Sequence, residues 1–490
     1  MSPRATSGFL GVLEGPATLD PGRVALVAGG SRTTYGELAA AVGRAAQALG
    51  AAGVGRGARV AVVADAGVAS VAALLGTARL GGAAALMNPR LTSGELAGLA
   101  AEAGVGWWVA GPSSEEVVGE LAGPALVDLG RPGPAPPAAR PRPGDAALVL
   151  FTSGTTGRPK AVVLTHRLLD ARIAAFAPAF DPASAPSVSL MCVPLAHIGG
   201  ALGLLVSLAR GHTTVVQARF EAGQWLELVA RHRVEACFLV PTMLHRILEH
   251  PGFGQADLSS LRSLAYGAAP APPELVRRAT QALPHVAFTN VFGQTETLGS
   301  ICTLGPEDHR HPDRLASVGR PLPGVEAKVV DPDTGRELSP GETGELWVRT
   351  EAAVAPPGAG EPGGWLRTGD LVSRDADGYL YPAGRLADTI NRGGEKFSPS
   401  EVEQVVLGHP AVAEAAAAGV PDPEMGSRVG LAVVARRPVT AGELREFCRG
   451  KLASFKLPEV VALVESLPYS ETGKVSRAEL ARLIQEKASA

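Results

Sequence analysis

The sequence predicts an α/β protein with a large N-terminal domain and a small α+β C-terminal domain. Its 490 residues exceed the ~100–200 residues that one domain usually holds. Apolar, strand-like runs alternate with amphipathic stretches up to about residue 290, which is typical of mostly parallel sheets covered by helices. Beyond about residue 320 the pattern changes to short strands and turns, which predicts a small antiparallel subdomain.

Individual segments support this alternation. Residues 34–50 are typical of an amphipathic helix, with Thr34 as the N-cap and Glu37 completing a capping box. Residues 59–65 form a short apolar run suited to a buried parallel strand, and the apolar stretch after it predicts a covering helix. The last hundred residues again mix helical and strand patterns, which predicts the α+β domain.

Glycine and proline are abundant, with 60 and 40 residues, or about a fifth of the chain. Two stretches concentrate them, residues 131–144 and 355–364, and both are predicted to be exposed connectors. The formal net charge of −3 excludes a global basic surface. We therefore expect no nucleic-acid partner.

Cysteine usage and hydropathy favour a cytoplasmic protein. The four cysteines are widely spaced and form no zinc-binding pattern, which indicates a reducing compartment. No apolar run reaches the ~20 residues of a membrane-spanning helix, so we expect no stable membrane insertion. The N-terminal segment does not resemble a signal peptide.

The most informative segment is residues 148–166, LVLFTSGTTGRPKAVVLTH. Glycines let main-chain N–H groups turn towards one point, hydroxyl groups add donors, and Lys160 adds a positive charge, so the segment suits a phosphate. The P-loop pattern is not met, because no Ser or Thr follows Lys160 and Pro159 opposes the start of a helix. From these residues alone, an ordinary Gly/Thr-rich hairpin turn fits equally well.

Five segments, in the correct order, resemble the motifs of the AMP-forming acyl-CoA synthetase, or adenylate-forming, superfamily. They are TSGTTGRPK (152–160), NVFGQTETLG (290–299), WLRTGDL (365–371), GRLADTINRGGEKFSPSEVE (384–403) and ETGKVSR (471–477). The resemblance implies ATP, Mg²⁺ and coenzyme A as cofactors. It also implies an N-terminal AMP-binding and acyl-binding domain at residues 1–385, and a mobile C-terminal domain at 386–490.

The resemblance also implies roles for particular residues. Glu296 is expected to bind Mg²⁺, with Thr155 contributing, because hard oxygen donors suit this ion. Lys474 is expected to bridge the acid's carboxylate and the α-phosphate during adenylation. Asp370 is expected to accept hydrogen bonds from both ribose hydroxyls, and Arg385 to reach the nucleotide beside the hinge.

Further residues are expected to contact phosphates, adenine or the pantetheine arm. They are Thr152, Ser153, Gly154, Thr156, Gly157, Lys160, Gly267, Ala268, Ala269, Phe292, Gly293, Thr295, Gly393 and Gly394. Phe292 stands where the family commonly has tyrosine, so stacking is kept and a phenolic hydrogen bond is lost. From the residues alone, Gly393 and Gly394 also fit a hairpin turn.

Three further positions depart from the family's pattern or are ambiguous. Ala387 replaces the Asp or Lys usual at the hinge, which predicts altered kinetics. Tyr469 replaces a common Arg. His197 is expected at the mouth of the acyl pocket, although a packed core histidine fits equally well.

The acid and the acceptor are inferred from the residues around the acyl pocket and the hinge. No Asp lies near Ala196 to pair with the ammonium group of an amino acid substrate, so an amino acid is disfavoured. Val291 stands where relatives specific for dicarboxylic acids often carry a cation for the second carboxylate, so malonate-like acids are disfavoured as well. An apolar acid is therefore expected, with a fatty acid as first choice and an aryl or arylalkanoic acid as second. Coenzyme A is the favoured acceptor, the phosphopantetheine of a carrier protein is the alternative, and a non-catalytic nucleotide-binding protein is the alternative from another class.

Overall fold

The computed structural model describes residues 9–121, 123, 125–131, 133–134, 141–153, 159–176, 187–351, 353–354, 360–361, 364–469 and 475–489. The chain forms two compact units. The first comprises Met1–Pro312, Leu322–Gly324 and Thr350–Ala359, and the second comprises Asp313–Pro321, Val325–Arg349 and Gly360–Ala490. Of the connectors predicted at 131–144 and 355–364, residues 132, 135–140, 355–359 and 362–363 lie outside the described residues. No helix among the described residues is long and apolar enough to cross a bilayer.

The first unit contains two sheets. In spatial order, the first sheet consists of Ala125–Leu126, Trp107–Ala110, Arg59–Val63, Ala83–Met87, Ala146–Ser153 and Pro159–Thr165. Its strands are parallel except for the last pair, which is an antiparallel hairpin. The central strands are buried on both faces, as the continuous apolar sequence of residues 59–63 predicts.

The second sheet of this unit is also mainly parallel. Its strands within the unit are, in spatial order, Gly299–Leu304, Ala287–Gln294, Ser263–Gly267, Ala236–Leu239, Val188–Met191, Thr213–Val216, Val24–Ala28 and Ser31–Thr34. Only the outermost pair at each end of this series is antiparallel. The carboxyl ends of the parallel strands therefore meet at one edge of the sheet, which is where ligands of α/β proteins usually bind.

Helices cover both sheets and fill the core between them. They are Glu14–Leu19, Tyr35–Ala51, Val68–Arg79, Ser93–Ala103, Glu115–Gly119, His166–Phe176, Ile198–Ala209, Ala222–His232, Pro241–Leu248 and Pro273–Ala282. The predicted capping box is confirmed, because the Thr34 hydroxyl accepts from the Glu37 N–H and the Glu37 carboxylate accepts from the Thr34 N–H. All four cysteines are buried and free.

The second unit combines an antiparallel sheet with a small α+β region. Its strands are Arg320–Pro321, Glu326–Val330, Thr343–Arg349, Gly360–Glu361, Trp365–Arg374, Leu380–Arg385, Ile390–Arg392, Glu395–Phe397, Val412–Asp422, Gly426–Ala435 and Val460–Leu463. Its helices are Pro399–Leu407, Ala441–Cys448 and Arg477–Ser489. The predicted fold class is confirmed, while the boundary after residue 385 stays a prediction.

Candidate active site

The predicted phosphate loop joins the two strands of a hairpin. Strand Ala146–Ser153 pairs antiparallel with Pro159–Thr165, and Thr152 lies opposite Lys160, whose side chain is exposed. A strand rather than a helix follows the loop, in agreement with the absence of a P-loop pattern. The hairpin and phosphate-binding interpretations are compatible, because the two strands set the ends of the loop. The predicted contacts Gly154, Thr155, Thr156 and Gly157 lie outside the described residues.

The Thr-Glu motif forms a tight turn between two antiparallel strands. A β-bulge at Phe292 and Gly293 precedes the short 3₁₀ turn Thr295–Thr297, which carries Glu296. A side chain at Gly293 would lie 1.9 Å from the Gly299 carbonyl oxygen, so glycine is required for the close approach of the strands. The local bend that a bulge introduces sets the direction in which this turn leaves the sheet.

Glu296 lies beside the phosphate-loop hairpin. The Thr152 hydroxyl oxygen is 3.4 Å from the Glu296 carboxylate oxygen Oε1, and the Val354 N–H donates to the Glu296 main-chain carbonyl at 2.7 Å. Two hard oxygen atoms at one point suit Mg²⁺. Among the described residues, no cluster of three or more His, Cys, Asp or Glu side chains could hold a metal ion. Mg²⁺ commonly keeps several waters and binds through one or two carboxylates and substrate phosphates, so it does not need such a cluster.

The resemblance places residues 267–269 beside the adenine, and we call this segment the adenine wall. It begins at the end of strand Ser263–Gly267 of the second sheet. A side chain at Gly267 would lie 2.0 Å from the Val291 carbonyl oxygen, so the strand end packs directly on its neighbour. Ala268 has a φ of +65°, which is uncommon for a residue other than glycine and turns the chain sharply. Ala268 is exposed and Ala269 half-buried, while Phe292 is half-buried on the neighbouring strand.

A buried phenol and imidazole support this strand end. The His309 ring nitrogen Nδ1 is 2.7 Å from the Gly305 carbonyl, which can only accept, so Nδ1 carries the proton. The other ring nitrogen, Nε2, then accepts from the Tyr266 hydroxyl at 3.0 Å. Burial lowers the pKa of His309 and raises the pKa of Tyr266. The neutral pair therefore fixes the residue just before Gly267.

His197 precedes the helix that the resemblance places beside the acyl group. It is half-buried and is the N-cap residue of helix Ile198–Ala209. A side chain at Gly200 would lie 2.3 Å from the Pro194 carbonyl oxygen, and one at Gly199 would lie 3.3 Å from the Phe238 ring. Glycine thus lets the helix start fold tightly against its entry loop.

Other residues near this helix start are apolar. A side chain at Gly299 would lie 3.5 Å from the Leu202 side chain, which places the helix beside the strand after the Thr-Glu turn. Leu298 is fully buried and Val291 is half-buried. The apolar side chains of Val291 and Leu202 agree with the apolar acid expected from the sequence, whereas Leu298 belongs to the core.

In the second unit, Asp370 and Arg385 lie opposite each other on neighbouring strands. The Arg385 Nε donates to Asp370 Oδ1 at 2.8 Å, and the side chains of the arginine and aspartate are 49% and 15% exposed. The strand pairing shifts in a bulge around Gly369, whose φ is +70°, directly before the aspartate. Both residues are predicted at the nucleotide, and the structure brings them together as an ion pair.

Glu345 holds this bulge and was not predicted from the sequence. Its buried carboxylate accepts from the Gly369 N–H at 3.2 Å, the Trp347 indole at 3.0 Å and the Arg367 Nε at 2.9 Å. A buried carboxylate needs such donors to offset its lost hydration. The signal that could have identified it is a glutamate between apolar residues in the strand GELWVRT.

Gly393 and Gly394 form the two-residue turn of a hairpin. Their φ angles are +59° and +94°, and the flanking strands Ile390–Arg392 and Glu395–Phe397 are antiparallel. Two consecutive positive φ angles are typical of the tightest hairpin turns and favour glycine. A side chain at Gly394 would meet no atom within 4 Å, so this turn leaves open space above its backbone.

The motif at residues 384–403, where the resemblance places the hinge, begins in a tightly packed segment. A side chain at Gly384 would lie 2.0 Å from the Ser398 hydroxyl, and the Ser400 hydroxyl donates to the Ala383 carbonyl at 2.8 Å. Glycine is therefore required for the close approach of these two segments. The predicted catalytic Lys474 lies outside the described residues, and its role stays a prediction.

Ala387 and Tyr469, which also depart from the family's pattern, lie in the second unit. Ala387 is exposed in the short 3₁₀ turn Leu386–Asp388. The Tyr469 hydroxyl donates to the Glu414 carboxylate at 3.0 Å, so this tyrosine contributes a contact within its own unit. The predicted effect of Ala387 on kinetics stays a prediction.

Two family models match this chain. The model described as AMP-binding enzyme matches residues 13–356, and the model described as AMP-binding enzyme C-terminal domain matches residues 401–474. The chain is 34% identical to a feruloyl-CoA synthase from an Amycolatopsis species, over 95% of this chain and 97% of that protein. It is 36% identical to the fatty acid–[acyl-carrier-protein] ligase ScoC of Streptomyces coeruleorubidus, over 68% of this chain and 66% of that protein.

A solved structure agrees with these relatives. It is the o-succinylbenzoate CoA synthetase of Bacillus subtilis in complex with its acyl-adenylate intermediate. The TM-score is 0.83 and the sequence identity 31%, with 96% of this chain and 97% of that chain covered. The same synthetase in complex with ATP and magnesium ion gives a TM-score of 0.82 at 30% identity, with 96% and 98% covered.

Proposed function

Because the chain belongs to the AMP-binding enzyme family, we propose that it is an ATP-dependent acid–CoA ligase. The acid's carboxylate attacks the α-phosphorus of ATP, which forms an acyl-adenylate and releases pyrophosphate. The thiol of coenzyme A then attacks the acyl carbon, which forms the thioester and releases AMP. The observation that carries the proposal is that the phosphate-loop hairpin, Glu296 and the adenine wall all belong to the first unit.

The first half-reaction joins two anions, so neutralising charge and positioning the reactants provide most of the catalysis. The hairpin loop with Lys160 binds the β- and γ-phosphates. Gly267 leaves room for the Val291 carbonyl and so sets the strand end from which Ala268 and Ala269 reach the adenine. Glu296 and Thr155 would supply oxygen donors for Mg²⁺, and the Thr152 hydroxyl, 3.4 Å from Glu296, would be a further donor. When bound, Mg²⁺ supplies positive charge at the phosphates. Lys474 supplies a further positive charge where negative charge builds up.

The remaining nucleotide contacts come from Asp370 and Arg385. The aspartate accepts hydrogen bonds from the ribose hydroxyls, for which an ionised carboxylate has two acceptor oxygens. Its ion pair with Arg385, at 2.8 Å, orients the carboxylate before ATP binds. In the second half-reaction, the open space at Gly394 lets the pantetheine arm pass close to the backbone, while the missing side chain of Gly393 leaves room for Met425.

The substrate is proposed to be an apolar carboxylic acid. Val291, Leu202 and the glycines at the start of helix Ile198–Ala209 support a fatty acid, and so does the similarity to the ligase ScoC. An aryl or arylalkanoic acid is the second candidate. The near full-length similarity to feruloyl-CoA synthases supports it.

The acceptor is proposed to be coenzyme A, with a carrier-protein phosphopantetheine as the second candidate. The feruloyl-CoA synthase similarity, over 95% of this chain, supports coenzyme A. The similarity to ScoC, a ligase that acts on an acyl-carrier protein by name, supports the second candidate.

An acid panel tests the proposal. The protein is incubated with ATP, Mg²⁺ and either a saturated fatty acid series or a hydroxycinnamic acid series, and acid-dependent ATP–pyrophosphate exchange is measured. AMP release is then followed with free coenzyme A or with a phosphopantetheinylated carrier protein. We expect exchange with at least one series and faster AMP release with coenzyme A. No exchange with any acid contradicts the proposal, and a response to the carrier alone favours the second acceptor.

A further inference from the structure

A buried arginine lies beside the Thr-Glu turn, and the proposed reaction assigns it no role. Arg172 belongs to helix His166–Phe176 and is only 7% exposed. Its Nε donates to the Leu298 carbonyl at 2.9 Å, and its Nη2 donates to the Ser300 carbonyl. Its guanidinium carbon also lies 5.0 Å from the centre of the Phe176 ring.

Burying this cation is costly, which calls for an explanation. Burial lowers the pKa of the Arg172 guanidinium, although arginine keeps its charge in proteins. The partners seen in the described part of the chain are neutral, namely two main-chain carbonyls and a ring. The carbonyl groups stabilise the buried charge, and the charge in turn holds the segment that carries these carbonyls. We therefore look for the benefit of burying Arg172 in the conformation of that segment.

That segment is strained. Leu298 has a φ of +49° and Gly299 a φ of +90°, so two consecutive residues adopt left-handed conformations directly after the Thr-Glu turn. This conformation is unfavourable for a leucine, because its side chain crowds the backbone. The Thr297 hydroxyl lies within hydrogen-bonding distance of the Gly299 and Gln294 carbonyls on one side of the turn. Arg172 bonds the carbonyls on either side of the glycine, so the segment is held twice.

The same arginine belongs to the element that follows the phosphate-loop hairpin. Its helix begins at His166, directly after strand Pro159–Thr165. The phosphate-loop hairpin is therefore linked to the Thr-Glu turn in two ways. Thr152 on its first strand contacts Glu296, and Arg172 on the helix after its second strand bonds the Leu298 carbonyl. Two connections fix the orientation of the turn better than one.

We propose that Arg172 is a positioning residue that holds Glu296 in place for the metal–nucleotide complex. The inference rests on the proposed function. The guanidinium reaches two carbonyls two residues apart because its N–H groups point in fixed, planar directions. Lysine keeps the charge but cannot donate to both carbonyls in that geometry, so Arg172→Lys separates the geometry from the charge.

The test compares nucleotide affinity with and without a metal ion. The dissociation constant of ATP is measured by calorimetry in the presence of Mn²⁺ and in EDTA, for the wild type, Arg172→Lys and Arg172→Gln. The ratio of the two constants does not depend on the fraction of folded protein. In the wild type, ATP should bind more tightly with Mn²⁺ than in EDTA. We expect the ratio of the two dissociation constants to be roughly tenfold smaller in both variants, the equivalent of about 1.4 kcal/mol.

Arg59→Lys is the matched control. Arg59 is half-buried in the first sheet, and its Nη1 donates to the Ala103 carbonyl at 2.5 Å. We expect its substitution to lower the melting temperature without changing the metal preference. An unchanged preference in Arg172→Lys and Arg172→Gln overturns the inference and leaves the proposed function intact. A wild type that binds no ATP overturns the proposed function, and the inference with it.

Discussion

In the first unit, the candidate site residues Gly267 and Gly293 lie on closely packed backbone, whereas Arg385 and Gly394 of the second unit lie in more open positions. Side chains at Gly267 or Gly293 would collide with main-chain oxygens at 2.0 and 1.9 Å. In contrast, Gly394 faces open space and the side chain of Arg385 is 49% exposed. A nucleotide site needs fixed donors, while a region that serves two different half-reactions needs accessible ones. Substitutions should therefore damage the two units in different ways.

The largest expected effect concerns Lys474, within the sequence span of the second unit. Lys474→Ala should lower acid-dependent ATP–pyrophosphate exchange by roughly 100-fold or more, the typical loss when one stabilising charge donor is removed. Lys487→Ala, at an exposed lysine of helix Arg477–Ser489, is the control and should leave the exchange unchanged. Undiminished exchange in Lys474→Ala contradicts its assignment.

Asp370→Asn should have the next largest effect. It removes the negative charge that orients Arg385 and accepts the ribose hydroxyls, so KM for ATP should rise roughly tenfold, the equivalent of about 1.4 kcal/mol. Steady-state kinetics at saturating acid provide the measurement. Glu326→Gln is the control, because it breaks an exposed pair with Arg349 on the same sheet, and such pairs contribute little. An unchanged KM in Asp370→Asn argues against ribose binding.

Two glycine substitutions sharpen the comparison between the units. Gly267→Ala should destabilise the protein by about 2–3 kcal/mol, since its new methyl group meets the Val291 carbonyl, and should weaken ATP binding. Gly430→Ala, whose methyl group would lie 2.5 Å from the Val420 side chain, is the matched control and should lower stability without affecting ATP. Melting temperature and ATP affinity are measured together. If Gly267→Ala and Gly430→Ala bind ATP with equal affinity, the proposed contact between the adenine and the strand end at Gly267 is contradicted.

Gly394→Ala should show the opposite pattern in the second unit. Its φ of +94° makes alanine cost about 1–2 kcal/mol locally, but no atom lies within 4 Å to clash. CoA-dependent AMP release should fall several-fold while ATP–pyrophosphate exchange is kept. Gly450→Ala, with a φ of +76° and the same open space, is the control and should keep both half-reactions. A loss of exchange in Gly394→Ala contradicts the division of roles.

The smallest expected effect is a difference in pH dependence. Burial lowers the pKa of His166, His212 and His309 in the first unit, so the unfolded chain binds their protons more readily. Stability should fall as pH drops below the unfolded value near 6.5, by at most about 1.4 kcal/mol per pH unit for each histidine. In the second unit, hydrogen bonds from Arg392 lower the pKa of Glu459, whose contribution is lost only below about pH 4.5.

Hydrogen exchange at pH 7.5 and 5.5 checks this difference. The first unit should open more readily at pH 5.5, and His309→Asn should reduce that response by removing one buried base. Equal loss of protection in the two units contradicts the assignment of the pH dependence to the buried histidines.

Much of the fold was predictable because local signals and burial agree. The capping box at Thr34 and the parallel strand at Arg59–Val63 depend on neighbours in sequence or on continuous apolar residues. The candidate site was recognised from motifs, but their geometry was not predictable. The contacts of Arg172 with the Leu298 carbonyl and of Glu345 with Gly369 join residues far apart in sequence. Periodicity carries no information about such pairs.

The most direct test of the proposed function follows both half-reactions in one sample. The protein is incubated with ATP, Mg²⁺ and a responsive acid without coenzyme A, and the products are identified by mass spectrometry before and after coenzyme A is added. We expect an acyl-adenylate and pyrophosphate first, and then an acyl-CoA thioester and AMP. Formation of ADP and phosphate, or an adenylate that coenzyme A does not consume, would contradict the proposed function.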